Sequence, residues 1–527
     1  MRFRSSYRSA QYRSAPRRDL EMWASGRPWR PIFLRSGRMG VHCHPRSASL
    51  VLAALCIVLA GCTVGPNYKR PSPLTPPPPA FKEGAPPPQI PNGGWKQAQP
   101  NDQSLRGKWW EIYNDPQLNA LEEKVSVSNQ TLRAAMEQYF AARAAVQTYR
   151  ANYFPTLGAG PALSRQHLSQ NRPTTVSGSR YQYNDFALTG QASWEPDLWG
   201  QVRRSVEAAR ATAQASAADL ANVELSVRSE LALDYFELRG LDLQKQLLDN
   251  TVASYADYLK LTQVRFKGGL ATDSDVALAQ TQLESTRAQD IDVGVARAQY
   301  EHAIATLTGQ VASAFSLPSA PLQLPLPQVP VGVPSELLER RPDIAGAERR
   351  ANAANAQIGI AIAAYYPTIT LSGAGGFESR SPGTWLQGPS ALWSLGASAS
   401  ELLFDAGRRH ALTEEARANY EVTVANYRQS VLNAFQEVED NLAALRILNQ
   451  EAATQAAAVA AAQHSLEIST RRYKQGLVDY LEVLTAQTAL LTNQRTQADI
   501  TTRQFVASTQ LIKALGGGWT TNQLPTP

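Results

Sequence analysis

Few residues in this 527-residue chain could do chemistry by their type and spacing. The six histidines stand singly, and no His-Glu-x-x-His or comparable ligand spacing exists to hold a metal. No Gly-x-x-x-x-Gly-Lys-Ser/Thr loop cradles a phosphate, and no Gly-x-Ser-x-Gly elbow raises a nucleophile. Gly516-Gly517-Gly518 stops a helix, with no following helix to bind an anion. Of the three cysteines, Cys43 and Cys56 precede the folded body, so Cys62 is the one thiol to account for. The chain reads as non-enzymatic, and what its chemistry needs is elements that place Cys62 and a few carboxylates.

Residues 1–38 hold ten arginines and two acids and read best as an upstream start extension, with Met39 the true start. Residues 39–61 form a signal peptide: Arg46 precedes an apolar core from Leu50 to Gly61 that is too short to span a bilayer. Its end, Leu59-Ala60-Gly61-Cys62, resembles the bacterial lipoprotein box. That resemblance implies cleavage before Cys62, then a covalent diacylglycerol and an N-acyl lipid on it, and no other cofactor. Thr63, not Asp, follows, which by the same resemblance implies sorting to the outer membrane. The whole chain carries +6, but residues 1–61 alone carry +9, which leaves the mature chain at −3. The basic balance belongs to the leader, so nucleic acid is not an expected partner.

Residues 62–105 are rich in proline and read as a lipid-anchored tether or wrapping arm in extended form, long enough to let Cys62 sit far from the body. The body begins near Trp109-Trp110, with a helix from Asp115-Pro116 to Ala151. Its organising element is a proline- and glycine-free stretch of 68 residues, Arg408 to Gln475. Val424, Val431, Val438 and Leu445 recur every seven residues in it, beside Phe435 and Leu442, as a coiled-coil seam does. Such a helix is roughly 100 Å long.

A second rod runs from Gly200 to Lys267. Arg265-Phe266-Lys267-Gly268-Gly269-Leu270 repeats as Arg472-Tyr473-Lys474-Gln475-Gly476-Leu477 at an offset of 207. The chain is therefore an internal duplication: repeat 1 over 106–310, a Pro-rich crossing over 311–335, repeat 2 over 336–519 and a tail over 520–527. After each rod the chain turns and re-enters helix, Ser274 to Leu307 and Tyr480 to Leu515, and another helix runs from Ser335 to Ala364.

Between the helices the period changes to two. Leu157 to Ser164, Phe186 to Trp194, Thr368 to Ser372 and Trp393 to Ser400 read as strands with one apolar and one polar face, one hairpin per repeat. In an exported, lipidated chain this is the pattern of a transmembrane β-barrel. Four strands cannot enclose a barrel, and open edges are forbidden in hydrocarbon, so identical copies must complete it.

The lipoprotein box, Trp109-Trp110 with Asp115-Pro116, the stretch Ser335 to Ile344, Tyr366-Pro367-Thr368-Ile369, the two turn motifs and Lys513 to Trp519 together resemble the outer membrane factor family, TolC-like and closest to lipoproteins of the OprM or NodT type. The resemblance implies a mainly α fold with a membrane β part: two structural repeats, a periplasmic α-barrel of long coiled-coil helices, and four strands per chain in a trimeric twelve-stranded β-barrel. It implies a homotrimer in outer membrane lipid of a Gram-negative cell, working with a periplasmic membrane-fusion adaptor and an inner-membrane pump of the resistance-nodulation-division type. The function implied is the passive exit duct of a tripartite efflux system for drugs or other toxic small molecules. Outer membrane export of proteins by type I secretion, and a lipid-anchored coiled coil without a channel, are the alternatives. By resemblance, Tyr473, Asp479, Leu481 and Glu482 form the periplasmic gate, with three Glu482 carboxylates as an acidic ring, and Asp273 and Asp275 brace it by pairing with neighbours. Gly269, Leu270, Gly476 and Leu477 are the implied adaptor-docking tips. At Thr485 and Thr488 the chain departs from OprM-like members, which carry an acid and an arginine there.

Overall fold

The computed structural model describes residues 63–73, 78, 80–83, 107–169, 182–329, 337–519 and 524. The expected start extension, the signal peptide, Cys62, Ser335 and most of the first hairpin loop lie outside the described residues.

The elements follow in the order α1 (Pro116–Ser128), α2 (Gln130–Ala151), β1 (Thr156–His167), β2 (Gln182–Trp194), α3 (Gln201–Lys267), α4 (Asp273–Leu307), α5 (Pro342–Ala363), β3 (Thr368–Ser379), β4 (Ala391–Ser400), α6 (Arg408–Lys474) and α7 (Tyr480–Ala514). The two rods, α3 and α6, are each 67 residues long. Each starts on a glycine in the left-handed region, Gly200 at φ +84° and Gly407 at φ +86°. An aspartate just upstream satisfies the first free amides: Asp197 accepts from Val202 and Arg203 N–H, and Asp405 from Gly407 and Arg409 N–H. No helix among the described residues is long and apolar enough to cross a membrane.

Half-length helices stack along the rods. At one end the lateral order is α2–α3–α5–α6; at the other it is α4–α3–α7–α6. The heptad seam of α6 is buried as read, with Val424, Val431 and Val438 at most 4% exposed. Its partners are Ile344 and Ala347 of α5 and then Leu511 of α7, so two short helices in succession cover one long seam. Where the short helices meet, Trp109, Trp110 and Tyr113 join Phe236 of α3 and Phe505 of α7 in the largest aromatic cluster.

Three expectations are corrected here. The helix read from Asp115 to Ala151 breaks at Asn129, which contains neither proline nor glycine to announce it. Asn129 caps α2 by accepting from Leu132 N–H and donates to the Leu307 carbonyl of α4, so a tertiary hydrogen bond fixes the break. The helix read up to Ala364 is interrupted at Arg341, ahead of Pro342, because the residue before a proline is pushed out of the α region. Arg341 uses the kink to reach Glu437 of α6 at 2.6 Å and the Ala514 carbonyl of α7 at 3.0 Å.

The third correction concerns the arm. A loose tether would hold Cys62 away from the body, but the described residues of the arm are docked on it, as the wrapping-arm reading has it. Val64 N–H donates to the Trp199 carbonyl, and the buried Arg204 donates to the carbonyls of Val64 and Gly65 and to Asn67 Oδ1. Gly65 lies so close to Gly359 of α5 that a Cβ would sit 2.5 Å from its Cα. Further along, Tyr68 donates to Glu348 Oε1 at 2.6 Å, and Lys82 and Glu83 N–H both donate to the Glu439 carboxylate. Proline removes backbone donors, so most links of this segment run to side chains of α3, α5 and α6.

Glu122 of α1 is fully buried, and neither carboxylate oxygen has a hydrogen-bond partner. Burial raises its pKa well above the usual glutamate range. Arg228 pulls the other way, but its Nη1 is 3.7 Å off, and its guanidinium also serves Glu224 and the Trp110 ring. A carboxyl raised in the folded state contributes stability that is complete below the unfolded pKa and is lost as pH rises through the folded pKa. Glu122→Gln therefore removes a loss of stability that sets in as pH rises above the unfolded carboxyl pKa. Thermal unfolding across pH should show the variant gaining on the wild type as pH increases; parallel curves would refute a protonated Glu122.

Candidate functional site

Two ends of the molecule carry candidate function, the strand sheet and the turns that close the rods. The sheet has the order β1-β2-β3-β4, antiparallel throughout. The strands are longer than their period-2 cores suggested, β1 reaching His167 and β3 reaching Ser379. Register sorts the side chains cleanly. Leu163 pairs with Phe186, Leu188 with Phe377, Trp194 with Leu371, and Trp393 and Leu395 lie opposite Gly375 and Gly373. That face is apolar on all four strands. The alternate residues, among them Gln191, Thr189, Ser372, Thr370, Ser394 and Ser398, make the other face polar. Neither face has a core behind it: Leu157 is 80%, Trp393 79% and Leu395 81% exposed. Among the described residues β1 and β4 have no strand on their outer edges.

At the opposite end both rods close in the same turn. Gly269 (φ +73°) and Gly476 (φ +77°) take the left-handed conformation. Leu270 N–H then reaches back to the Arg265 carbonyl at 2.8 Å, and Leu477 N–H to that of Arg472 at 3.0 Å. This double closure satisfies the last carbonyls of each rod and leaves the leucine side chains outside, Leu270 at 71% and Leu477 at 66% exposure. The next helices start on side-chain caps, Thr272 for α4 and Asp479 for α7.

Of the expected gate residues, Tyr473, Asp479, Leu481 and Glu482 lie at the second turn, with differing surroundings. Leu481 projects from the first turn of α7 and is exposed. Asp479 accepts from Glu482 N–H and so fixes where α7 begins. Glu482 Oε1 accepts from Arg472 Nη1 at 2.8 Å and from Ser469 Oγ at 3.3 Å. The carboxylate expected in an acidic ring is thus ion-paired within its own chain. Tyr473 does not line an opening; it is 2% exposed and packs on Tyr480, Val483 and Ala279. Asp275 Oδ2 accepts from the Thr272 N–H and hydroxyl and so caps α4 within its own turn. Asp273 stands exposed on the first turn of α4.

Arg265 and Arg472 are the residues that sequence reasoning quoted but gave no role. They occupy the same repeat position, five before the Gly-Leu turn's leucine, and diverge in partner. Arg265 crosses to the second tip, donating to the Tyr473 carbonyl at 2.8 Å with its guanidinium 4.5 Å from the ring centroid. Tyr258 with Thr470, and Thr262 with the Tyr473 hydroxyl, add two more links between α3 and α6. Beyond the turn, Thr485 and Thr488 are exposed, and their hydroxyls donate to Leu481 and Leu484 carbonyls of their own helix.

A family model described as "Outer membrane efflux protein" matches residues 121–310 and 333–517. The chain is similar to the toluene efflux pump outer membrane protein TtgC of Pseudomonas putida, 32% identical over 89% of this chain and 95% of TtgC. It is also similar to the pyoverdine export outer membrane protein OpmQ of Pseudomonas aeruginosa, 30% identical over 80% of this chain and 89% of OpmQ. Among solved structures, the outer-membrane channel OprN superposes with a TM-score of 0.78 at 29% identity, covering 87% of this chain and 100% of OprN. The open state of the Neisseria gonorrhoeae MtrE outer membrane channel gives 0.76 at 26% identity, covering 87% of this chain and 99% of MtrE.

Proposed function

The chain belongs to the outer membrane efflux protein family, and from that membership we propose that three copies form the exit duct of a tripartite pump, closing one twelve-stranded barrel in the outer membrane. The observation that carries this reading is the sheet. It has a continuous apolar face, a polar face and two unpaired edges, which suits neither a soluble core nor a lipid-buried monomer. Closure with further copies pairs every edge, turns the apolar face to lipid and the polar face to water. A coiled coil without a channel has no use for such a sheet.

The helices below support the same closure. The flanking helices carry exposed apolar residues on the sides that no helix of this chain covers: Met136 and Phe140 of α2, Leu412, Val422 and Leu432 of α6. Side by side, α6 of one copy meets α2 and α4 of the next and continues the helical wall. The first turns of α7 then face the axis as the periplasmic gate. Leu270 and Leu477, two alike exposed leucines on rigid turns, offer an apolar foothold for a periplasmic adaptor, which joins the duct to an inner-membrane pump. The cargo is small toxic molecules; toluene, solvent and antibiotic efflux are named for relatives. Cys62 carries the lipid. Its neighbour Thr63 packs on Gly200 at the junction of rod and strands, so the acyl chains enter the membrane beside the barrel wall.

Protein purified in detergent should have three times the chain mass, and in planar bilayers it should conduct in discrete steps. A lone, non-conducting subunit would sink the proposal. Cys62→Ser should lose labelled palmitate while keeping the conductance.

A further inference from the structure

The tip of a duct is its narrowest part, so the charges there decide which ions and solutes pass. The second turn of this chain is balanced in charge, and the first carries no excess of acid. On the second, Arg471, Arg472 and Lys474 stand with Glu467, Asp479 and Glu482, three charges of each sign; over the matching residues of the first, Lys260, Arg265 and Lys267 stand with Asp273 and Asp275, one net positive charge. The balance of the second turn is local as well as numerical. Glu482 is held at 2.8 Å by Arg472, ten residues back on the preceding helix, and Ser469 steadies the same oxygen.

The exposed row of α7 that follows carries no charge before Asp499. Leu481, Thr485, Thr488, Thr492 and Thr496 are exposed in line at helical spacing, and Asp499, the next member, is matched by Arg503 at 3.7 Å. The hydroxyl hydrogens of Thr485, Thr488 and Thr496 turn back to carbonyls of their own helix. This row borders a groove of about 630 Å³ over α3, whose other wall is α4. Arg495 reaches across it to Gln289 at 2.8 Å, which marks the side on which α4 and α7 approach each other.

We propose that the gate end of this duct is charge-neutral, with Arg472 the residue that cancels Glu482, so that the assembled channel discriminates little between cations, anions and uncharged solutes. The inference rests on the duct reading above. An exposed ion pair contributes little stability, but cancellation does not require a strong bond. It requires only that both charges lie well within the screening length, roughly 8 Å at physiological ionic strength, so that three pairs present dipoles and not three converging carboxylates. The substrate class this admits includes anionic and neutral amphiphiles, which an uncompensated acidic ring would hinder.

The test is the reversal potential of single channels in planar bilayers under a potassium chloride gradient. Wild-type protein should reverse near zero. Arg472→Gln should raise the cation-over-anion permeability ratio several-fold, and the double variant Arg472→Gln with Glu482→Gln should return it to the wild-type value. Thr488→Glu, which adds an unpaired carboxylate on the same face, should also create cation preference. A strongly cation-selective wild type, or an Arg472→Gln channel with unmoved reversal, overturns the neutral tip while leaving the duct standing. Absence of any conductance would instead count against the duct.

Discussion

Leu395→Arg will prevent this protein from assembling in the outer membrane, whereas Ser394→Arg, one residue away, will not. Leu395 lies near the middle of β4, on the face shared with Leu371, Leu188 and Leu163, and packs over Gly373 of the neighbouring strand. An arginine at the lipid-facing midplane of a barrel costs about 2–4 kcal/mol. If three copies share the barrel, the assembly bears about 6–12 kcal/mol, comparable to the whole margin of a typical fold, about 5–15 kcal/mol. Ser394 points to the polar face, where a guanidinium stays in water. Heat-modifiable migration on gels of outer membrane fractions reads assembly directly. Resistance of a deletion strain carrying each variant to dyes and detergents reads function. Normal assembly of the Leu395 variant would mean that the apolar face does not meet lipid.

Asp242→Ala should loosen the crossing that joins the two repeats. Asp242 is fully buried between Arg239 and Arg297, at 2.9 and 2.7 Å, and also accepts from Ser319 Oγ and Ala320 N–H. The two arginines hold the same strip of chain through the carbonyls of Pro318 and Leu317, and Glu301 accepts from Leu317 N–H. One carboxylate thus fixes a proline-rich segment that has no ladder of its own. Removing one partner of a buried charge pair costs about 3–5 kcal/mol, because the charges left behind have lost their compensation. Local opening of the crossing should become at least a hundredfold more frequent, on the order expected for that energy. Limited proteolysis between residues 311 and 335 would detect it, with Asp242→Asn, which keeps one acceptor oxygen but turns an NH2 toward donors on its other side, cut at an intermediate rate. Equal cutting of wild type and Asp242→Ala would show that the network does not hold the crossing.

Much of this was legible because periodic patterns are local. The seven-residue recurrence of Val424, Val431 and Val438 had to be buried along a long helix, and Gly269 and Gly476 had to be turns, since a left-handed residue at a helix end favours glycine. The alternation in Trp393 to Ser400 separated two faces before any pairing was known. The break at Asn129 was not legible, because it depends on the Leu307 carbonyl 178 residues away. Nor was the docking of the arm: prolines announce that a segment is not helical, and say nothing of the glycine-sized gap at Gly359 that receives Gly65.

By itself the sequence determined the duplication, the rods, the turns that end them and the two-faced strands, each written into a repeat period of a few residues and the conformational limits of glycine and proline. Tertiary structure alone decided what the charged and aromatic groups at the tips do. Arg265 and Arg472 hold equal places in the two repeats, yet one stacks on Tyr473 and the other neutralises Glu482. The reason is that a side chain's role is set by which groups lie within a few ångströms of it, and folding brings those from the other repeat or from the returning helix.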